Sequence, residues 1–142
     1  MAALRRATRD DAPAIAALFT RVRREALPYL PILHTPEGDA EYFGGHVFDT
    51  CTVTVAEIGR IVGFIAWRAG WVDHLYVDTA HIEQGIGSAL LGRAMEDQPV
   101  LDLWAFQKNG NALAFYKRHG FRRARNRWTR QRRAGAGCAS AL

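Results

Sequence analysis

Three successive runs, "CTVTVAEI", "RIVGFIAWR" and "WVDHLYVD", fill most of residues 51–78 with β-branched and aromatic side chains. Such runs have to pair edge to edge, because a lone strand leaves its amides and carbonyls unsatisfied. The first two meet around Gly59 and Arg60, which predicts a hairpin. The third leads into "EQGIGSALL", residues 83–91, where two glycines one residue apart run straight into helical apolar spacing. A sheet that passes directly into a helix through Gly-x-Gly is therefore the frame into which the other segments must fit.

Those segments alternate in type. "LRRAT" reads as a short first strand. "RDDAPAIAALFTRVRREAL" follows as a helix, with Asp10 or Asp11 as its cap, Pro13 in its first turn, and Ile15, Leu18, Phe19 and Val22 on one face. The prolines of "PYLPILHTPEGD" end that helix and hold the chain extended, and "PEGDAEYFGGHVF" offers a second helix weakened by its glycines. Past the three strands, "GIGSALLGRAMED" predicts a helix with Ile86, Leu90, Leu91, Ala94 and Met95 turned inward. "VLDLWAF" predicts a strand, "NGNALAFYKRHG" a helix closed by Gly120, and "FRRARNRWT" one last strand. The order β-α-α-β-β-β-α-β-α-β belongs to the α/β (α+β) class, a mixed sheet with helices on its faces. No alternating apolar run follows "FRRARNRWT". Either a seventh strand is missing, a partner chain supplies it, or the sequence is altered at its end, and an edge left open favours a homodimer or low solubility. Residues 1–129 are expected to form the domain and 130–142 a basic, Ala/Gly-rich, disordered tail.

With 142 residues, 49% of them apolar, the chain can bury one core without disulfides or metals. No apolar run nears the ~20 residues of a membrane span. The opening "MAALRRATRDD" lacks the apolar stretch of a secretory signal, so a reducing cytoplasm is the expected setting. Cys51 and Cys138 are the only thiols, without a Cys/His cluster, and no metal is expected. The net charge of +5 comes from the chain's end: seven arginines and no acid follow Phe121, whereas residues 1–121 carry 12 basic and 14 acidic groups. With Trp128 as the one aromatic there, that end reads as a solvated tail rather than a nucleic-acid or membrane surface.

The Gly-x-Gly has a physical reading of its own. A helix start leaves backbone N–H groups unpaired and carries partial positive charge, so an anion settles there when the backbone is bare enough to be approached. Gly85 and Gly87 therefore either cradle a phosphate or merely make a tight turn. The dinucleotide fingerprint fails at Leu90, and no Gly-Lys-Ser/Thr follows to make a P-loop.

With Gly-x-Gly after the fourth strand and "NALAFYKRHGF" after the fifth, the chain resembles the GNAT acyltransferase superfamily over residues 3–129. "LYVDTAHIEQGIGSALL" is similar to that family's pyrophosphate-binding block. "NGNALAFYKRHGF" is similar to its Asn-x-x-Ala-x-x-Phe-Tyr-x-x-x-Gly-Phe block, through Asn109, Ala112, Phe115, Tyr116, Gly120 and Phe121. The resemblance implies a splayed, mostly antiparallel sheet and transfer of an acetyl group from acetyl-CoA to a primary amine of a small molecule or peptide. Ile82, where the family usually has Arg or Gln, also leaves room for a non-catalytic module that binds CoA.

By that resemblance the coenzyme's pyrophosphate falls to Ile82, Glu83, Gln84, Gly85, Ile86, Gly87 and Ser88, and its pantetheine arm pairs with the backbone of Leu75, Tyr76 and Val77. Asn109 touches that arm or simply caps its helix. Tyr116 matches the family's general acid, a phenol that stays protonated at neutral pH, with packing as its alternative role. Strand alternation groups Asp73 with Trp71, Leu75 and Val77, and sets His74 on the other face with Val72 and Tyr76. The family often carries its base on this strand and face, so the resemblance implies Asp73 as the candidate base, directly or through water, provided that burial raises its basicity. Acceptor selection falls to the proline-rich loop, through Tyr29, His34 and Glu37, although Glu37 also suits a first helical turn.

Overall fold

The computed structural model describes residues 2–26, 41–81, 84–105 and 110–131. Strand β1, Ala3–Arg6, leads through a 3-10 turn at Arg9–Asp11 into α1, Ala12–Ala26. The expected cap is thus a whole turn: Asp11 accepts the Thr8 N–H at 2.8 Å and two bonds from the Arg5 guanidinium, each 2.8 Å. A helical turn at 41–44 breaks at Gly45 and resumes as α2, His46–Thr50, as the glycines of that segment foreshadowed. Next come β2 (Thr52–Glu57), β3 (Ile61–Arg68) and β4 (Trp71–Val77), joined by tight turns at Gly59 and Gly70, whose φ angles are 69° and 73°. A 3-10 turn at Thr79–His81 precedes α3, Ile86–Asp97. The chain continues through β5 (Val100–Leu103), α4 (Gly110–Arg118), β6 (Arg122–Arg123) and β7 (Trp128–Gln131).

The seven strands form one sheet in the order β1-β2-β3-β4-β5-β7-β6, antiparallel except between β4 and β5. This corrects the expectation for the C-terminal end. "FRRARNRWT" is two strands of a hairpin, and the chain supplies its own seventh strand. β7 inserts between β5 and β6 and runs to Gln131, past the boundary expected at 129. Apolar alternation could not reveal it. Trp128 is its one buried apolar residue, covered by Lys117 and Arg123, while the Arg130 guanidinium turns back to donate to the His119 carbonyl at 2.9 Å.

Two cores lie on opposite faces. On one, Ile15, Leu18, Phe19 and Val22 of α1, with Phe43 and Val47, cover Val53, Val55, Phe64 and Ala66. On the other, Ile86, Leu90, Leu91 and Ala94 of α3 cover Val62, Ile65, Trp67, Val72, Leu101 and Leu103, with Leu113, Phe115 and Tyr116 of α4 packed against them. The inward faces expected for α1 and α3 are those observed.

Gly63 sets how close α3 lies to the sheet. A Cβ there would stand 3.2 Å from both Ile86 Cγ2 and Leu90 Cδ1, and 3.3 Å from the Tyr76 carbonyl oxygen. Gly63→Ala is expected to cost about 1–3 kcal/mol of stability by overpacking. Urea denaturation measures this, and an unchanged midpoint would mean that α3 is free to shift outward.

Candidate active site

The site begins where a backbone ladder stops. β4 and β5 pair only at Trp71↔Asp102 and Val72↔Leu103, and among the described residues no strand takes the β5-side edge of β4 from Asp73 to Val77. On its other side β4 stays paired with β3 from Ala66↔His74 to Gly63↔Val77. Residues 73–77 are only half-buried, whereas β3 is buried from Val62 to Trp67. Among the described residues a central strand thus leaves one main-chain edge unpaired where β4 and β5 part, as the splayed sheet of the resemblance implied.

A bulge alters which side chains face this gap. Ala66 pairs with His74 but Trp67 pairs with Val72, which leaves Asp73 as an extra residue. Strict alternation fails there. Val72, Leu75 and Val77 all belong to the core under α3, while Asp73 and His74 both lie on the α1 face. The grouping of Asp73 with Leu75 and Val77, and the parity that separated it from His74, are corrected by this one inserted residue.

On the α1 face, Asp73 Oδ2 accepts from Arg68 Nε at 2.9 Å and from Cys51 Sγ at 3.3 Å; no described residue donates to Oδ1. Burial pushes the Cys51 thiol up, so it stays protonated. His74 is packed among the rings of Phe19, Phe43 and Phe64, with Nε2 3.0 Å from Tyr42 Oη. Burial lowers its pKa to about 4, so the ring is neutral at physiological pH.

At the far end of the gap stands the start of α3. Gly85 is its cap residue, with φ 80°, and among the described residues no side chain caps the helix and a Cβ on Gly85 would meet nothing within 4 Å. Open space over a left-handed glycine is what a backbone cradle for an anion requires. Gly87 has a different reason to be glycine: a Cβ there would lie 3.3 Å from the Phe115 ring and 3.7 Å from Val77 Cγ2. The end of β4, the start of α3 and the middle of α4 therefore converge on one point. Gln84 Oε1 is held by His81 Nδ1 at 3.1 Å, and Ser88 Oγ lies 2.9 Å from His119 Nε2. Tyr116 packs edge-on against Phe121, with ring centroids 5.6 Å apart, and burial together with the nearby Tyr76 pushes its phenol up.

The structure therefore brings together Leu75, Tyr76, Val77, Gln84, Gly85, Ile86, Gly87, Ser88 and Tyr116, and sets Asp73 at the opposite end of the open edge. Tyr29, His34, Glu37, Ile82, Glu83 and Asn109 lie outside the described residues. Sequence reasoning missed His81, His119, Arg68 and Tyr42. His119 had a signal, lying three residues beyond Tyr116 in the same block, but the others are joined to the site only by pairing across strands and faces.

Residues 49–123, more than half the chain, match the family model of the acetyltransferase (GNAT) domain. The chain belongs to the GNAT acetyltransferase family. Among curated GNAT relatives it is 25% identical over 119 residues to the peptidyl-lysine N-acetyltransferase YiaC of Escherichia coli, covering 83% of this chain and 82% of that protein. It is 32% identical over 79 residues to an uncharacterised N-acetyltransferase of Methanocaldococcus jannaschii, a match that takes in 44% of this chain and only 35% of that longer protein. The fold matches PaiA N-acetyltransferase of Thermoplasma acidophilum, solved in complex with coenzyme A, at TM-score 0.76 and 13% identity, over 92% of this chain and 99% of that one. It also matches a putative acetyltransferase, yncA, of Salmonella typhimurium, solved with acetyl-CoA, at TM-score 0.70 and 18% identity, over 92% and 94% of the two chains.

The buried imidazole gives this GNAT chain an acid limb. His74 has a folded pKa of about 4 against an ordinary 6.5, so the unfolded chain binds the proton first and stability falls as pH drops from 6.5 towards 4. The full shift corresponds to a loss on the order of 3 kcal/mol. His74→Phe is expected to flatten that slope, read from urea denaturation at a series of pH values; equal slopes for both proteins would show that His74 carries none of it.

Proposed function

We propose that this chain transfers the acetyl group of acetyl-CoA to a primary amine of a small molecule or peptide, by direct attack in a ternary complex. The observation that carries the reading is the open edge of β4 from Asp73 to Val77, leading towards the glycine-capped start of α3. An extended amide-bearing arm adds to such an edge as a further strand, and a diphosphate suits the amides of the helix start. The coenzyme carried by the Thermoplasma acidophilum and Salmonella typhimurium chains supports that donor. The peptidyl-lysine activity named for the Escherichia coli relative supports a peptide amine among the acceptors.

On this reading the chemistry divides between two faces, as the bulge supports. Asp73 lies on the α1 face, with Oδ2 fixed by Arg68 and Oδ1 turned to neither donor. It takes the proton of the acceptor ammonium there, directly or through a water. Tyr116 lies on the α3 and α4 face and meets the departing sulfur. A thiol ionises near ~8.5, below a phenol at ~10, and burial lifts this phenol further. Tyr116 therefore acts chiefly as a hydrogen-bond donor to the developing thiolate, and full proton transfer follows as solvent returns. Attack and departure on opposite faces keep amine and thiolate from competing for one proton.

Tyr116→Phe is expected to lower kcat by about 100-fold, within the usual range for a general acid, and to leave the Kd for CoA within about two-fold. Initial-rate kinetics over an amine panel, with calorimetry of CoA binding, test both. A Tyr116→Phe protein with full kcat would remove the phenol from the mechanism. Wild-type protein that consumes no acetyl-CoA with any amine would remove the reaction itself.

A further inference from the structure

Asp78 is the only buried charged residue among those described, 3% exposed. It stands immediately after β4 and takes no part in the chemistry above. Burying a carboxylate is costly unless its lone pairs are filled, and Asp78 fills them from three directions. Oδ2 lies 2.8 Å from Arg21 Nη2 of α1 and 3.1 Å from Arg60 Nη2 of the β2–β3 turn. Oδ1 accepts the Ala80 N–H at 3.2 Å. The main chain of Asp78 is tied as well: its N–H donates to the Val62 carbonyl at 2.8 Å, and its carbonyl accepts the His81 N–H at 2.8 Å. The two guanidiniums and the Ala80 amide hold the carboxyl ionised against the upward push of its burial.

These bonds fix the first residue of the segment that ends at Gly85, where α3 begins. Backbone donors grip a diphosphate only when held within about 0.5 Å of the productive position, and a left-handed glycine supplies no stiffness of its own. The bonds at the segment's root supply rigidity from Asp78 onward. We infer that Asp78 is a positioning residue for coenzyme binding, with Arg21 and Arg60 as its clamps, acting through the 3-10 turn at Thr79–His81 and the His81–Gln84 contact. This rests on the acetyl-CoA reading above. Because Arg21 belongs to α1, the same carboxylate fastens the helix that covers the acceptor face to the segment that receives the donor.

Calorimetric titration with CoA, amide hydrogen exchange without ligand, and steady-state kinetics on the full chain test the assignment. Asp78→Asn keeps the shape and the acceptor for Ala80 but removes the charge. It is expected to weaken CoA binding by about 10-fold, the scale of a lost hydrogen bond to a charged partner. Exchange of the Gln84–Ser88 amides should quicken, and KM for acetyl-CoA should rise while kcat stays within about two-fold. Arg60→Met, at a guanidinium more than half exposed, is expected to give a smaller loss of the same kind and serves if Asp78→Asn does not fold. A folded Asp78→Asn protein, or Arg60→Met in its place, that melts earlier yet binds CoA like wild type would overturn the assignment and leave the acetyl-CoA reading intact. Wild type that binds no CoA would overturn both.

Discussion

The structure turns on the parting of two parallel strands. β4 and β5 hold each other for two residue pairs at Trp71 and Val72, and beyond them no described strand takes that edge of β4 in the middle of the sheet. A central strand left half-paired is unfavourable, because its amides and carbonyls lose water without gaining partners. The fold limits that cost by keeping residues 73–77 half-exposed and by leaving the gap open towards the glycine-capped helix. The neighbouring pairings with β3 on one side, and of β5 with β7 on the other, hold both sheet halves in place.

The bulge at Asp73 belongs to the same constraint. An extra residue bends and twists its strand, and here it falls just past the last pair that joins β4 to β5. It also turns Asp73 to the α1 face, where Arg68 and Cys51 engage one carboxylate oxygen. With Tyr116 under the other face, the two side chains proposed to handle protons lie on opposite sides of the sheet. The two glycines divide their labour in the same local way: Gly85 supplies a left-handed cap beneath open space, and Gly87 lets α3 start against Phe115.

Much of this was legible in the chain. The apolar faces of α1 and α3 show as a 3.6-residue rhythm, and the hairpin at Gly59 and the closure at Gly120 show as turn chemistry. The Gly-x-Gly and the block around Tyr116 marked the end of the candidate site where α3 and α4 meet β4. The second strand of the final hairpin was hidden because Arg130, Lys117 and Arg123 supply the cover that apolar residues usually provide. Asp78 was passed over as the last letter of a strand, since nothing adjacent in sequence shows that Arg21 and Arg60 close on it. The face of Asp73 was misread because alternation holds only while every residue has a partner opposite.

By itself the sequence determined the kinds and order of the elements up to the final hairpin, and the two blocks that flank the parting of β4 and β5, since periodicity, turn residues and helix ends depend on neighbours a few positions away. Tertiary structure decided which face Asp73 and His74 occupy, that Asp78 is buried, and that the chain completes its own sheet. Those outcomes follow from cross-strand register and from contacts between distant elements. A single inserted residue reverses a strand's faces without altering any local preference.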